Sequence, residues 1–309
     1  MGWIGWTALA LALTGAAAFG LWRWAAASGS AATLEWIDAR FPREREARLA
    51  ISARYGSHPA QRLELWVPDG GSAPYPLIVF YHGGGWHSGT PADYRFVART
   101  LAEYGFATAL VGYRLVPEGR YPAMLEDSAA GLARLAAHGA RHGVATDRVV
   151  LAGHSAGAYN AVMLALDPYW LRQAGVPAEM VAGVAGLAGP YDFYPWTSDS
   201  ARDALGHAEP PERTQPVRFA RAGAPPLLLL TGTADDVVRP RNSRALQRAM
   251  TDAGGESELV EFDGIGHAGI VMALSKPFAQ GGTVTRPLVG FARERLPPAT
   301  SGQVQGRTR

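Results

Sequence analysis

The 309-residue chain contains no cysteine. Disulfides, thiolate nucleophiles and every cysteine-ligated zinc or iron–sulfur centre are therefore excluded, while the redox compartment stays open. Lysine is almost as scarce: Lys276 is the only one, so arginine supplies 28 of the 29 basic side chains. Without a lysine after a glycine-rich run, a phosphate-cradling Gly-x-x-x-x-Gly-Lys loop is excluded, and Schiff-base or Ser-Lys catalysis has one unsupported candidate. Excess charge is missing too. The 29 basic and 27 acidic residues leave a formal charge of +2, and no basic stripe interleaves with aromatics, so no nucleic-acid partner is expected. With 48% hydrophobic and 18% charged residues, the composition is that of a folded chain and not of a disordered one. Its length, about twice a usual domain of roughly 150 residues, allows one large domain or two small ones.

From Trp3 to Trp22 no side chain is charged, and a helix of that length spans about 30 Å, the hydrocarbon thickness of a bilayer. Trp3, Trp6, Trp22 and Trp24 lie towards the two ends and Arg23 closes the run, as in a span anchored at both interfaces. A single-pass membrane anchor over 3–22, within a 1–27 N-terminal segment, is the leading expectation. Two other readings stay open. Ala25-Ala26-Ala27-Ser28 resembles a signal-peptide processing site, although the usual basic start is missing, and a buried globular helix is the third choice. Arg23, Arg40, Arg43, Arg45 and Arg48 all follow the segment; positive-inside would keep that side cytoplasmic, yet a secreted or periplasmic domain also fits. Residues 28–54 read as a linker and a solvated, helical approach over 35–50, residues 55–296 as the catalytic domain, and 297–309 as a frayed tail rich in Pro, Gly, Thr and Gln.

Between these ends, short apolar runs at 63–67, 77–81, 107–111, 149–152, 183–187, 227–231 and 259–262 read as strands. Helical patterns at 93–104, 123–142, 156–166, 241–253 and 286–296 separate them. Most of the runs lack alternation, as expected when helices cover both faces of a sheet. The predicted fold is α/β, with a mostly parallel central sheet and helices on both sides. The proline-bearing stretch 190–226 breaks the rhythm and reads as a small cap-like insertion or pocket wall. Its Tyr191, Phe193, Tyr194 and Trp196 suit substrate contact or packing onto the body equally well.

The most informative stretch is Val149-Val150-Leu151-Ala152-Gly153-His154-Ser155-Ala156-Gly157: a buried strand running into Gly-x-Ser-x-Gly and then a helix. A serine at such a strand-to-helix bend is crowded, so its flanking positions must be small, and its hydroxyl is presented above the sheet. A serine hydroxyl is a weak nucleophile until a base takes its proton. His267, in the glycine-bounded loop after the last strand, fits that need; activity is then expected to fall as it protonates. His58, His82, His87, His154 and His207 fit worse in chain order or position, and His138 and His142 share a helix face but lack a third metal ligand. No metal and no cofactor are expected. A carboxylate must hold the histidine's other nitrogen. Of the adjacent Asp235 and Asp236, the spacing Gly232-x-x-Asp235-x-x-Val238 selects Asp235. The order Ser155, Asp235, His267 is that of α/β-hydrolases. Backbone N–H groups of Gly84 and Gly85, in His82-Gly83-Gly84-Gly85-Trp86, together with that of Ala156, are the expected oxyanion donors. Trp86, Tyr159 and Tyr191 are the expected substrate contacts.

These segments, with Gly112-Tyr113-Arg114-Leu115 and Gly189-Pro190-Tyr191-Asp192-Phe193, resemble the carboxylesterases of the hormone-sensitive-lipase and kynurenine-formamidase-like branches of the α/β-hydrolases. Within them the chain is similar to bacterial feruloyl-esterase-like proteins and isoprenylcysteine methylesterases, over about residues 55–291. The resemblance implies an α/β-hydrolase fold and a cofactor-free serine esterase acting on a small-molecule ester through the residues just named. An arylformamidase-like amide hydrolase is the alternative, and an inactive ligand-binding hydrolase fold a third. Oligomeric state is not legible in the sequence.

Overall fold

Residues Leu77, Val79 and Tyr81 enter one hydrophobic cluster and their neighbours Ile78 and Phe80 another, because successive side chains of a strand point to opposite faces of its sheet. A run that is apolar on both faces needs cover on both, and the chain provides it. The computed structural model describes residues 30–296 and Trp6. Apart from Trp6, the apolar run 3–22 lies outside the described residues, as does the tail 297–309.

In chain order the elements are α1 (Ala31–Asp38), β1 (Ala47–Arg54), β2 (Arg62–Pro68), β3 (Tyr75–Tyr81), α2 (Arg95–Glu103), β4 (Ala107–Val111), α3 (Ala123–His138), β5 (Val144–His154), α4 (Ala156–Leu166), α5 (Pro168–Gln173), β6 (Val181–Leu187), α6 (Asp199–Leu205), β7 (Leu227–Gly232), α7 (Arg241–Asp252), β8 (Ser257–Phe262), α8 (His267–Met272) and α9 (Thr285–Arg295). The strands form an eight-stranded sheet in the order β1-β2-β4-β3-β5-β6-β7-β8. Pairs β1–β2 and β2–β4 are antiparallel, and the rest of the sheet is parallel. One face is covered by α3 and α4 through Leu132, Val162 and Met163. The other is covered by α2 and α9 through Phe96, Leu101, Leu288 and Phe291. The C-terminal ends of β3, β5, β7 and β8 open onto one side, where an open parallel sheet carries its ligands.

The structure differs from expectation mainly before residue 63. The stretch 35–50, expected as a solvated helical approach, divides into the end of α1 and the start of β1, an edge strand already within the sheet. Arg48, Leu49, Ser52 and Arg54 of β1 are exposed, so no buried apolar run betrays the strand, and backbone pairing with β2 holds it. The helix expected over 93–104 opens as a 3-10 turn at Pro91–Tyr94, and that over 123–142 ends as one at Gly139–His142. The 190–226 insertion contains α6 and two 3-10 turns. Among the described residues no helix is long and apolar enough to cross a membrane.

Candidate active site

Strand β5 ends at His154, and the next residue carries the bend. Ser155 has φ 54° and ψ −119°, a left-handed conformation costing a non-glycine residue about 1–3 kcal/mol. Its N–H donates to Leu187 O of the neighbouring β6 (2.8 Å), and α4 starts at once. A Cβ on Gly153 would lie 2.4 Å from the Gly157 backbone, and one on Gly157 2.1 Å from Tyr81 O. Glycine is needed at both places because two backbones approach within the space of a methyl group. No side chain caps α4, so its first N–H groups, that of Ala156 included, have no partner within the helix.

His267 is the first residue of α8. Its Nε2 lies 3.0 Å from Ser155 Oγ and its Nδ1 2.8 Å from Asp235 Oδ2. The Asp235 side chain is fully buried; its other oxygen accepts the N–H groups of Val237 (3.0 Å) and Val238 (2.8 Å). Three side chains separated by up to 112 positions thus stand in one hydrogen-bonded row. Asp236, the neighbouring carboxylate, is exposed and faces the cavity instead.

Two more histidines are buried near the elbow. His154 lies 4.9 Å from His267, ring to ring, and its Nε2 must donate to His267 O (3.3 Å), since a carbonyl can only accept. Burial, assisted by the nearby His267 ring, pushes its pKa down to about 3. His82 stacks on Tyr113 (4.4 Å, 10°) and donates from Nδ1 to Gly83 O (2.9 Å); burial lowers its pKa to about 4. Both remain neutral at physiological pH. His138 and His142 acquire no third metal ligand among the described residues.

The loop after β3 is built on left-handed backbone: φ is 116° at Gly84, 60° at Gly85 and 64° at Trp86. The N–H groups of Gly84 and Gly85 make no hydrogen bond among the described residues. They line, with Ala156, Ser155 and His267, a cavity of about 890 Å³. Trp86 lines it too and stacks on Phe193 of the insertion (6.5 Å, 16°). Its indole N–H donates to Asn160 Oδ1 (3.3 Å), and Asn160 Nδ2 donates in turn to Ser128 Oγ (3.1 Å).

Tyr159 and Tyr191, expected to contact substrate, are fully buried and absent from the cavity lining. Tyr159 packs edge-on behind Trp86 (5.4 Å) and Phe193 (6.0 Å). Asn242 accepts the Tyr191 and Asp192 N–H groups at 3.0 Å each, bracing the root of the insertion. Sequence reading missed Asn160 and Asn242. A polar residue inside the otherwise apolar helix Ala156–Leu166 was the available signal for Asn160.

The sequence profile of the BD-FAE family matches residues 63–250, more than half of the chain. The chain belongs to the BD-FAE family. This BD-FAE α/β-hydrolase is similar to esterase LipC of Mycobacterium tuberculosis, 28% identical over 236 residues, 69% of this chain and 58% of that protein. It is also similar to the probable isoprenylcysteine alpha-carbonyl methylesterase ICMEL1 of Arabidopsis thaliana, 23% identical over 241 residues, 71% of this chain and 50% of that one. The chain thus spans only 50% to 58% of the length of these two curated relatives. Among solved structures, esterase B from Lactobacillus rhamnosis aligns with a TM-score of 0.72 at 22% identity, covering 92% of this chain and 95% of that one, which shows the shared fold.

Proposed function

We propose that this chain is a serine carboxylic-ester hydrolase acting through an acyl-enzyme. The 3.0 Å approach of His267 Nε2 to Ser155 Oγ, with Asp235 at 2.8 Å on the far nitrogen, carries this reading. Asp235 accepts from Nδ1–H and so fixes the tautomer in which Nε2 is free to take the serine proton. Ser155 Oγ then bonds to the ester carbonyl carbon, and the carbonyl oxygen becomes an oxyanion. The N–H groups of Gly84, Gly85 and Ala156 receive that charge, and each such donor is worth about 2.7–4 kcal/mol at the transition state. His267 passes its proton to the departing alcohol. Water, deprotonated by the same histidine, attacks the acyl-enzyme; the acid leaves and Ser155 is restored.

Replacing Ser155 by Ala should abolish turnover of short 4-nitrophenyl esters and labelling by a fluorophosphonate probe, with the fold unchanged. Undiminished turnover overturns the mechanism. An N-formyl arylamine assayed beside the esters distinguishes the amide alternative, which would cleave the formamide faster. We propose also that residues 3–22 attach the protein to a membrane. Fractionation of the full chain against one lacking residues 1–28 tests this, the full chain being expected with membranes and the shorter one in the supernatant.

A further inference from the structure

Helix α1 has eight residues, too few for a helix to persist in water unaided. What holds it is a cluster of charges that catalysis does not use. Arg99 reaches Asp38 Oδ2 with Nη2 (2.7 Å) and Glu35 Oε1 with Nη1 (2.9 Å), and Arg43 Nη2 reaches Asp38 Oδ1 (2.7 Å). Glu35 also accepts the Phe96 N–H at the start of α2 (2.7 Å), and Asp38 the Lys276 N–H (2.7 Å). The Asp38 and Arg43 side chains are 0% and 1% exposed. Burying such charges is costly, and replacing them with apolar groups is often neutral or stabilising. Their return here is geometric: Glu35 and Asp38 of α1 are held by four partners, Phe96 and Arg99 of α2, Arg43 of the 41–46 turn and Lys276, which fix the helix in one place.

That place bears on the site from two directions. Leu34 of α1 enters the same hydrophobic cluster as Ile270 and Val271 of α8, the helix that begins with His267. Ala31 and Ala32 line the cavity that holds Ser155 and His267. The space between is large: small-molecule sites run from roughly 300 to 1,000 Å³, and this cavity, at about 890 Å³, far exceeds what the reacting atoms of a short ester fill.

We infer that α1 is a fixed wall of the substrate cavity and that the site selects bulky esters reaching from Ser155 to Ala31 and Ala32. The inference rests on the esterase reading. Because α1 precedes the residues matched by the family profile, 63–250, Ala31 and Ala32 reach the cavity from outside the profiled segment.

The test uses the full chain with Ala32→Trp, with Ala32→Ser as the size-neutral control. Substrates are 4-nitrophenyl acetate and two elongated esters, 4-nitrophenyl decanoate for the acyl side and decyl acetate for the alcohol side. The tryptophan variant should keep kcat/KM on 4-nitrophenyl acetate within about twofold. It should lose at least about tenfold on one elongated ester, through KM and not kcat, as removal of uniform binding requires. The serine variant should match the parent on all three. Equal losses on short and long esters, or none on any, overturn the inference while the esterase reading stands. A parent chain that cleaves no ester and takes no fluorophosphonate label overturns both.

Discussion

Two loop systems meet at Ser155, and they are positioned by different physics. The elbow and the Gly84–Gly85 loop are set by crowding: Gly153 and Gly157 leave no room for a methyl group, and His82 and His154 are buried between packed backbones. The loops after β7 and β8, which carry Asp235 and His267, are set by hydrogen bonds. Asp235 is tied by Val237 and Val238 N–H and by the imidazole, while Gly264 has nothing within 4 Å of a notional Cβ and Gly266 nothing closer than 3.7 Å. Small steric changes should therefore be ruinous at Gly153 and Gly157 and harmless at Gly266, although Gly232, whose Cβ would stand 2.0 Å from Ile265 O, is a crowded point of the second system too; loss of a polar atom should cost most at Asp235 and His267.

The largest expected effect is Gly157→Ala. Its Cβ would stand 2.1 Å from Tyr81 O, so turnover should vanish and the urea midpoint should fall by the equivalent of about 3 kcal/mol, the upper range for overpacked cores. Asp235→Asn should leave the fold intact but lower kcat by about 10⁴-fold, since an amide stabilises the wrong histidine tautomer; single-turnover kinetics beside circular dichroism would show whether only the chemistry is lost. The buried histidines give the crowded system a pH signature. Their folded pKa values, about 4 for His82 and about 3 for His154, lie below the unfolded value of about 6.5. The unfolded chain thus binds more protons below that pH, and stability should fall as pH drops from about 6.5, by about 1.4 kcal/mol per unit for each histidine. The loss should level off only near the folded values. A urea midpoint independent of pH between 7 and 5 would contradict this.

Asn160→Leu is a smaller case. It removes the acceptor of the Trp86 indole without touching the row of three, and should lower kcat about tenfold at nearly constant KM by letting the oxyanion donors drift. Trp86→Phe should do much the same, and the double variant little more than Asn160→Leu alone, because both delete the indole bond while Asn160→Leu also removes the bond to Ser128 Oγ. Smallest of all, Gly266→Ala, at φ −90° and ψ 178°, should change turnover by less than about twofold and stability by less than about 0.5 kcal/mol. A large loss there would mean that crowding governs both systems.

Legibility in the sequence followed the same division. Crowding leaves marks in composition, so Gly-x-Ser-x-Gly between an apolar run and a helix pointed to Ser155, and the bare glycines after β3 to the donor loop. Asp235 and His267 were reached by chain order and loop spacing, which locate a residue without describing its bonds. What sequence could not show was the depth at which side chains lie. Tyr159 and Tyr191 looked like substrate contacts because aromatics near a nucleophile serve equally as wall or as backing, and only the three-dimensional packing assigns them to the latter. Strand β1 escaped notice for the opposite reason: at an exposed sheet edge its arginines are as acceptable as on a helix surface.

The tether between Trp86 and Asn160 couples errors as well as atoms. The nucleophile's helix carries Ser155 at its head and Asn160 one turn and a half along, so a shift of that helix drags the donor loop with it through the indole. Under the proposed mechanism, attacker and anion cradle would then travel in common mode, and thermal jitter of the helix would be subtracted from the one separation on which acyl transfer depends.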